Sequence, residues 1–191
     1  MPNELDLQIS VEVKDHHASS ALCGITVESD NITELQTGTP SLSGNIYGPV
    51  CKGSQTLPSR ASIVDTSAHG ALTGSATVID PTPWTPELPA TYLATVHLSI
   101  DDGSPSTYNH PFGFKSLETR EDSFYINQRR FVPRLAQLNV QDHDVRDLLD
   151  VIREEYLCLA IRHPKTELLK LATEQGCWVL SLIHISEPTR L

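Results

Sequence analysis

Two short clusters in this sequence gather side chains of the types that perform proton transfer or hold metal ions. Asp142, His143 and Asp144 set an imidazole between two carboxylates, the composition of an acid–base pair. The competing reading is a polar loop ending in a helix N-cap at Asp144, and it explains the same residues more simply. Asp15, His16 and His17 offer metal-ligating types, but no carboxylate or cysteine is spaced to complete a set, so a turn is expected there. Asn31-Ile-Thr33 is a glycosylation sequon that matters only in a secreted eukaryotic protein. The carboxylates Glu154, Glu155, Glu167 and Glu174 fall on expected helix surfaces, away from any strand end. No catalytic residue and no metal ligand set emerges, and no cofactor is implied.

The elements that must position such groups come in two styles. Up to about Ser116 the pattern is that of strands. Leu5, Leu7, Ile9, Val11 and Val13 alternate with polar partners, the mark of a half-buried strand. Ala21-Leu-Cys-Gly-Ile-Thr-Val27, Ser75-Ala-Thr-Val-Ile79 and Thr91–Ile100 follow, the last with Tyr92, Ala94, Val96, Leu98 and Ile100 on one face. Breakers separate them at Thr39-Pro40, Gly53-Ser54, Asp80-Pro-Thr-Pro83 and Asp101-Asp-Gly-Ser-Pro105. Short strands at this spacing predict an immunoglobulin-like β-sandwich over residues 1–117, with Glu28 to Ser62 its least defined stretch.

The period then changes. A hairpin is expected from Ser123–Ile126 and Arg130–Val132 around Asn127-Gln128. Val145, Leu148, Leu149, Ile152 and Tyr156 fall on one face of a helix. Leu157-Cys-Leu-Ala-Ile161 is a continuous apolar run, as in a parallel strand buried on both faces. A second helix spans about Lys165 to Gln175, with Leu168, Leu169 and Ala172 inward and Gly176 ending it, and Cys177-Trp-Val-Leu180 reads as a further buried strand. Strand, helix, strand, helix, strand is the start of a parallel α/β unit.

Composition bounds the function. The chain has 191 residues, a net charge of −10 and 39% hydrophobic residues. That charge argues against nucleic acid as a partner, since nothing could neutralise a run of phosphates. No window approaches a membrane span. Met1-Pro-Asn-Glu-Leu-Asp6 has neither a basic n-region nor an apolar h-region and is not expected to be a signal peptide, which leaves the location open between cytoplasmic and exported after the loss of an upstream signal. Cys158 and Cys177 are expected as buried thiols, while Cys23 and Cys51 could pair only in an exported protein.

Leu180-Ser-Leu-Ile-His-Ile-Ser-Glu-Pro-Thr-Arg190 resembles, residue for residue, the translation of a transposase adapter used in preparing DNA libraries. Residues 181–191 are therefore expected to be an artefact, with the natural frame lost near Val179 or Leu180, and are set aside from fold reasoning. The other reading is a natural amphipathic tail.

Four segments, in order, resemble motifs of glycoside hydrolase family 2, whose members include β-galactosidases, β-glucuronidases and β-mannosidases. Pro83-Trp-Thr-Pro-Glu-Leu-Pro89 is similar to W-[ST]-P-E-x-P-x-L-Y at a late sandwich strand, and Phe112-Gly-Phe-Lys115 to F-G-[FVI]-[RK] closing the sandwich. Phe124-Tyr-Ile-Asn-Gln-Arg-Arg-Phe-Val-Pro-Arg134 is similar to F-x-L-N-G-K-P-x-x-L-R-G, the hairpin and first barrel strand. Ala160-Ile-Arg-His-Pro164 with the following helix and Gly-Cys-Trp-Val is similar to N-A-V-R-x-S-H-Y-P…G-[IL]-x-V. The resemblance implies a mainly β immunoglobulin-like sandwich followed by the first βαβαβ units of an incomplete (β/α)8 TIM barrel, the barrel part being residues 118–180. It also implies that Arg134 and Arg162, at the ends of the first two barrel strands, hold the sugar site's carboxylates, and that His163 contacts substrate if a two-residue deletion is accepted.

Departures accompany the match. Leu135 stands where the family has glycine, Gln137 stands at the asparagine position, and the second-strand motif is shortened to Arg162-His163-Pro164. The family's catalytic glutamates follow the fourth and seventh barrel strands, beyond the three present. The resemblance thus implies an inactive amino-terminal fragment of a divergent glycosidase, with a carbohydrate as the intact parent's partner. A non-catalytic sandwich that binds carbohydrate or packs on a neighbouring domain is the competing function. A Rossmann-type nucleotide binder is excluded, because no glycine-rich phosphate loop follows a strand in the α/β part.

Overall fold

The computed structural model describes residues 7–17, 19–29, 39–68, 71–101, 104–137 and 145–181. The readings made at Asn31–Thr33, at Asp142–Asp144 and beyond Ser181 lie outside them. The chain divides into two compact units. The first comprises Met1–Val50, Gln55–Thr82 and Thr91–Phe114, and the second Cys51–Ser54, Pro83–Ala90 and Lys115–Leu191.

In the first unit β1 (Leu7–His16), β2 (Ser20–Ser29), β3 (Pro40–Val50), β4 (Ser59–Asp65), β5 (Leu72–Ile79), β6 (Thr91–Ile100) and β7 (Ser106–Phe112) form one antiparallel sheet. Its order is β1-β2-β5-β4-β3-β6-β7. Strand β4 is the corner. It pairs with β3 from Gly44↔Ile63 to Gly48↔Ser59, but with β5 only at Val64↔Ser75 and Asp65↔Gly74. The sheet curls about this weak seam and closes its apolar face on itself. Lettered A to G in chain order, the strands run A-B-E-D then C-F-G, the sheet order of constant-type immunoglobulin sandwiches.

Period-two alternation supplies the core. Tyr92, Ala94, Val96 and Leu98 of β6 are buried, as are Cys23, Ile25 and Val27 of β2 and Ala76 and Val78 of β5. Ile9, Val11 and Val13 pack against that cluster from β1. The stretch from Glu28 to Ser62 nevertheless holds β3, the longest strand, with Leu42 and Ile46 buried. Between them a Cβ at Gly44 would run into the backbone carbonyl of Thr95 on β6, so the close approach of two strands demands glycine there. That glycine removes the apolar side chain that would have marked the alternation.

In the second unit β8 (Leu117–Arg120), β9 (Ser123–Ile126) and β10 (Arg129–Phe131) form an antiparallel sheet in the order β10-β9-β8. Strands β11 (Leu135–Gln137), β12 (Cys158–Ile161) and β13 (Trp178–Ser181) form a parallel sheet in sequence order, interleaved with helices α1 (Val145–Glu154) and α2 (Thr166–Gln175). Leu148, Leu149 and Ile152 of α1 pack with Leu159 of β12, Leu168 and Ala172 of α2, and Cys177.

Both helices end alike. Leu157 N–H donates to Ile152 O and Tyr156 N–H to Arg153 O after α1, while Cys177 N–H donates to Ala172 O and Gly176 N–H to Thr173 O after α2. Each arrangement places a left-handed residue just past the helix, two positions after Glu154 in α1 and one after Gln175 in α2. Gly176 fills that position as expected, at φ +78°. Tyr156 fills the other at φ +53° and is 69% exposed, so it is a cap and not the last residue of the buried face. Leu169, expected inward, is exposed at 40%, and Gln175 is buried instead. The hairpin turn takes φ +47° at Asn127 and +67° at Gln128, the type I′ geometry that normally carries glycine second.

Two predictions follow from these local chemistries. Gln128→Gly should stabilise the second unit by about 0.5–1 kcal/mol through relief of left-handed strain, net of glycine's chain entropy; a denaturant midpoint that is unchanged or lower would refute it. Burial pushes the thiols of Cys23 and Cys177 from 9.0 up to about 11. The folded state therefore holds these protons more tightly, so stability is intact below the unfolded value and is lost as pH rises from 9.0 to about 11. The loss is on the order of 2 kcal/mol per thiol, and Cys23→Ala and Cys177→Ala should each flatten the alkaline fall of unfolding free energy relative to the parent chain.

Candidate functional site

In a parallel sheet every strand presents its carboxyl end on one edge, and barrel chemistry is built on that edge. Here it carries Gln137 at the end of β11, then Arg162 and His163 directly after β12, and Ser181 at the end of β13. Arg162 and His163 are both exposed, and His163 holds the left-handed backbone at φ +50°. They bring a guanidinium and an imidazole to this edge.

Arg134 lies elsewhere. Leu135 is level with Cys158 in the register, so Arg134 precedes β11 on the amino edge while Arg162 follows β12 on the carboxyl edge. Five residue steps along the strand direction separate them, roughly 16 Å at about 3.3 Å per residue. The expectation that both arginines end their strands is corrected for Arg134. A strand of three residues beginning at Leu135 leaves it at the start. Its carbonyl accepts from Cys158 N–H at 2.8 Å, and its Nη1 donates to the Glu155 carbonyl at 3.5 Å.

The other candidates are dispersed. Glu154, Glu155, Glu167 and Glu174 are exposed on or beside the two helices. Asp15 Oδ2 and His17 Nε2 stand 3.1 Å apart on the surface of the first unit, and among the described residues no group of three potential ligands could hold a metal ion. All four cysteines are free and buried.

Two features of the second unit went unread in the sequence. One is the environment of Trp84. Its indole is fully buried, donates from Nε1 to the Thr173 carbonyl at 2.8 Å, and meets Trp178 edge-on with centroids 4.9 Å apart. The Lys115 ammonium lies 4.8 Å from the Trp84 ring and 5.6 Å from the Trp178 ring. Lys115 as a residue is exposed, but partial loss of water around the ammonium lowers its pKa. Asn127 completes the cluster, with Nδ2 donating to the Trp84 carbonyl at 3.1 Å and Oδ1 accepting from Ser116 N–H at 3.1 Å.

The second feature is a cavity of about 600 Å³ at the amino edge of the parallel sheet. Its walls are largely apolar, from Ile126, Phe131, Val132, Leu157 and Trp178 among others. Its charged lining is Arg129, Arg130, Arg134, Arg153 and Glu87. The adjacent pair Arg129-Arg130, in a chain of net charge −10, was the available sequence signal.

No family model matches the sequence, and no curated protein does. Solved structures do match the fold. The β-glucuronidase of Parabacteroides merdae superposes with a TM-score of 0.65 at 15% identity, over 92% of this chain and 23% of that one. The β-glucuronidase of Bacteroides uniformis gives 0.61 at 21% identity, over 91% and 22%. A glycosyl hydrolase family 2 member from Bacteroides cellulosilyticus gives 0.63 at 13% identity, over 90% and 24%. At these identities the likeness is one of fold. The chain spans less than a quarter of the length of each of these enzymes.

The Trp84 cluster yields a test. Trp84→Phe keeps a ring but removes the shorter of the two hydrogen bonds at the Thr173 carbonyl, which retains only the 3.5 Å bond from Gly176 N–H, so it should destabilise the second unit by about 0.5–1.5 kcal/mol. Hydrogen exchange should accelerate in α2 and β13 and remain slow in β6; equal acceleration in β6 would show that the effect is not local.

Proposed function

We propose that this chain is part of a divergent family 2-like glycoside hydrolase, in which an immunoglobulin-like sandwich leads into the first βαβαβ units of a (β/α)8 barrel. The observation that carries the reading is the fold likeness to β-glucuronidases over 91–92% of the chain, at TM-scores of 0.61–0.65. The order of β11, β12 and β13 supports it, since neighbouring barrel strands follow each other in sequence. The four motif resemblances fall in the same order along the chain.

Retaining hydrolysis of a glycoside needs two carboxyl groups about 5–5.5 Å apart, one acting as acid/base and one as nucleophile. In this reading the pair is supplied by later barrel strands of the intact enzyme, and Arg162 and His163 contribute from the carboxyl edge. A guanidinium there would orient a catalytic or substrate carboxylate by charge-assisted hydrogen bonds. Arg134, which precedes β11 on the opposite edge, is not assigned to the sugar site in this reading.

The test is to recover the coding sequence downstream of Val179 and assay both proteins on chromogenic glucuronides, galactosides and mannosides. The extended protein should add the remaining βα units and turn over one of these substrates, and Arg162→Ala in it should lower kcat/KM by about tenfold or more. The 191-residue chain should show none. Turnover by the short chain above a heat-killed control, or an extension without further βα units, would overturn the proposal.

A further inference from the structure

The cavity at the amino edge of the parallel sheet lies away from the edge on which barrel catalysis is built, so the proposed glycosidase chemistry leaves it without a role. Its volume of about 600 Å³ falls within the range of small-molecule sites. Four guanidiniums line it against the single carboxylate of Glu87. None of the four is ion-paired with a described residue, and the Arg134 contact to the Glu155 carbonyl leaves its other N–H groups available. In a chain of net charge −10 this is a local reversal of sign. The charges stand beside apolar walls, among them Phe131 and Trp178, whose rings lie 5.8 Å apart.

We infer that this cavity binds a small organic anion, a phosphate or carboxylate carried on an apolar body. The arginines supply donors in planar forks that match either oxyanion. The concave, partly apolar surroundings lower the effective dielectric, so the attraction exceeds that of the same charges on an open surface. Ile126, Val132, Leu157 and the two rings take the apolar body. An inorganic ion satisfies only the first requirement, and a neutral ring only the second.

The experiment measures binding to the full chain by titration calorimetry at about 50 mM salt, where such attraction is incompletely screened. The probes are phenyl phosphate, benzoate, inorganic phosphate and phenol. At least one of the two aryl anions should bind about tenfold more tightly than both phenol and inorganic phosphate. Arg134→Gln combined with Arg153→Gln should weaken that binding by about tenfold, with Arg129→Gln plus Arg130→Gln acting in the same direction. Arg60→Gln, in the first unit, should change nothing. Circular dichroism verifies the fold of each variant, and the single change Arg130→Gln, at an exposed position, replaces any double variant that fails to fold. Aryl anions that bind no better than phenol or phosphate, binding undiminished by these changes, or equal weakening by Arg60→Gln would each overturn the inference.

Discussion

The indole of Trp84 has no exposed surface, so its N–H must find an acceptor inside the protein or forfeit a hydrogen bond. The Thr173 carbonyl meets that demand, and the second unit is arranged around the contact. The acceptor belongs to the last turn of α2, where helix carbonyls lack intrahelical partners. The same turn is closed by Gly176, where a Cβ would strike the Pro86 carbonyl, so the loop bearing Trp84 fits only over a glycine. Asn127 then holds the Trp84 carbonyl, which draws the β9–β10 turn to the loop. Three segments distant in sequence are thereby fixed by one aromatic ring and the polar groups it obliges to pair.

The parts of this fold that were legible in the sequence are those where one physical rule acted alone. Strand β6 alternates because one face is core and the other is not, and its buried set from Tyr92 to Leu98 is the one its pattern announces. Gly176 ends α2 because the left-handed position favours glycine. Where two rules competed, the pattern misled. Strand β3 trades apolar bulk for close backbone approach at Gly44 and loses its periodicity. Tyr156 falls at helical spacing, yet α1 closes before it and its apolar ring stays outside. Leu169 sits at an apolar position of α2 that the sheet does not cover.

Residue types alone did not locate the candidate site, because the two edges of a parallel sheet cannot be told apart without strand limits. Arg134 and Arg162 both border apolar runs in sequence, one before and one after, and that difference of side is the whole difference of edge. Segment Pro83–Ala90 shows the same limit. It lies between two strands of the first unit in sequence, but its tryptophan answers to the second unit's helix.

The two edges also differ in what their geometry permits. The carboxyl edge has, among the described residues, three short strand ends with the exposed Arg162 guanidinium and His163 imidazole beside them, groups that can orient an anion. The amino edge has depth, apolar walls and an excess of guanidiniums. Its lining includes Cys158 and Trp178 at the strand starts, residues of the β9–β10 hairpin, and Tyr156 and Leu157 after α1. Tyr156 joins that lining from a left-handed position past the end of α1. A residue that departs from the helical pattern is thus explained twice, as the backbone's way of ending α1 and as a wall of the cavity beside Arg153. Left-handed backbone at a non-glycine residue occurs on both edges, at Tyr156 beside the cavity and at His163 directly after β12.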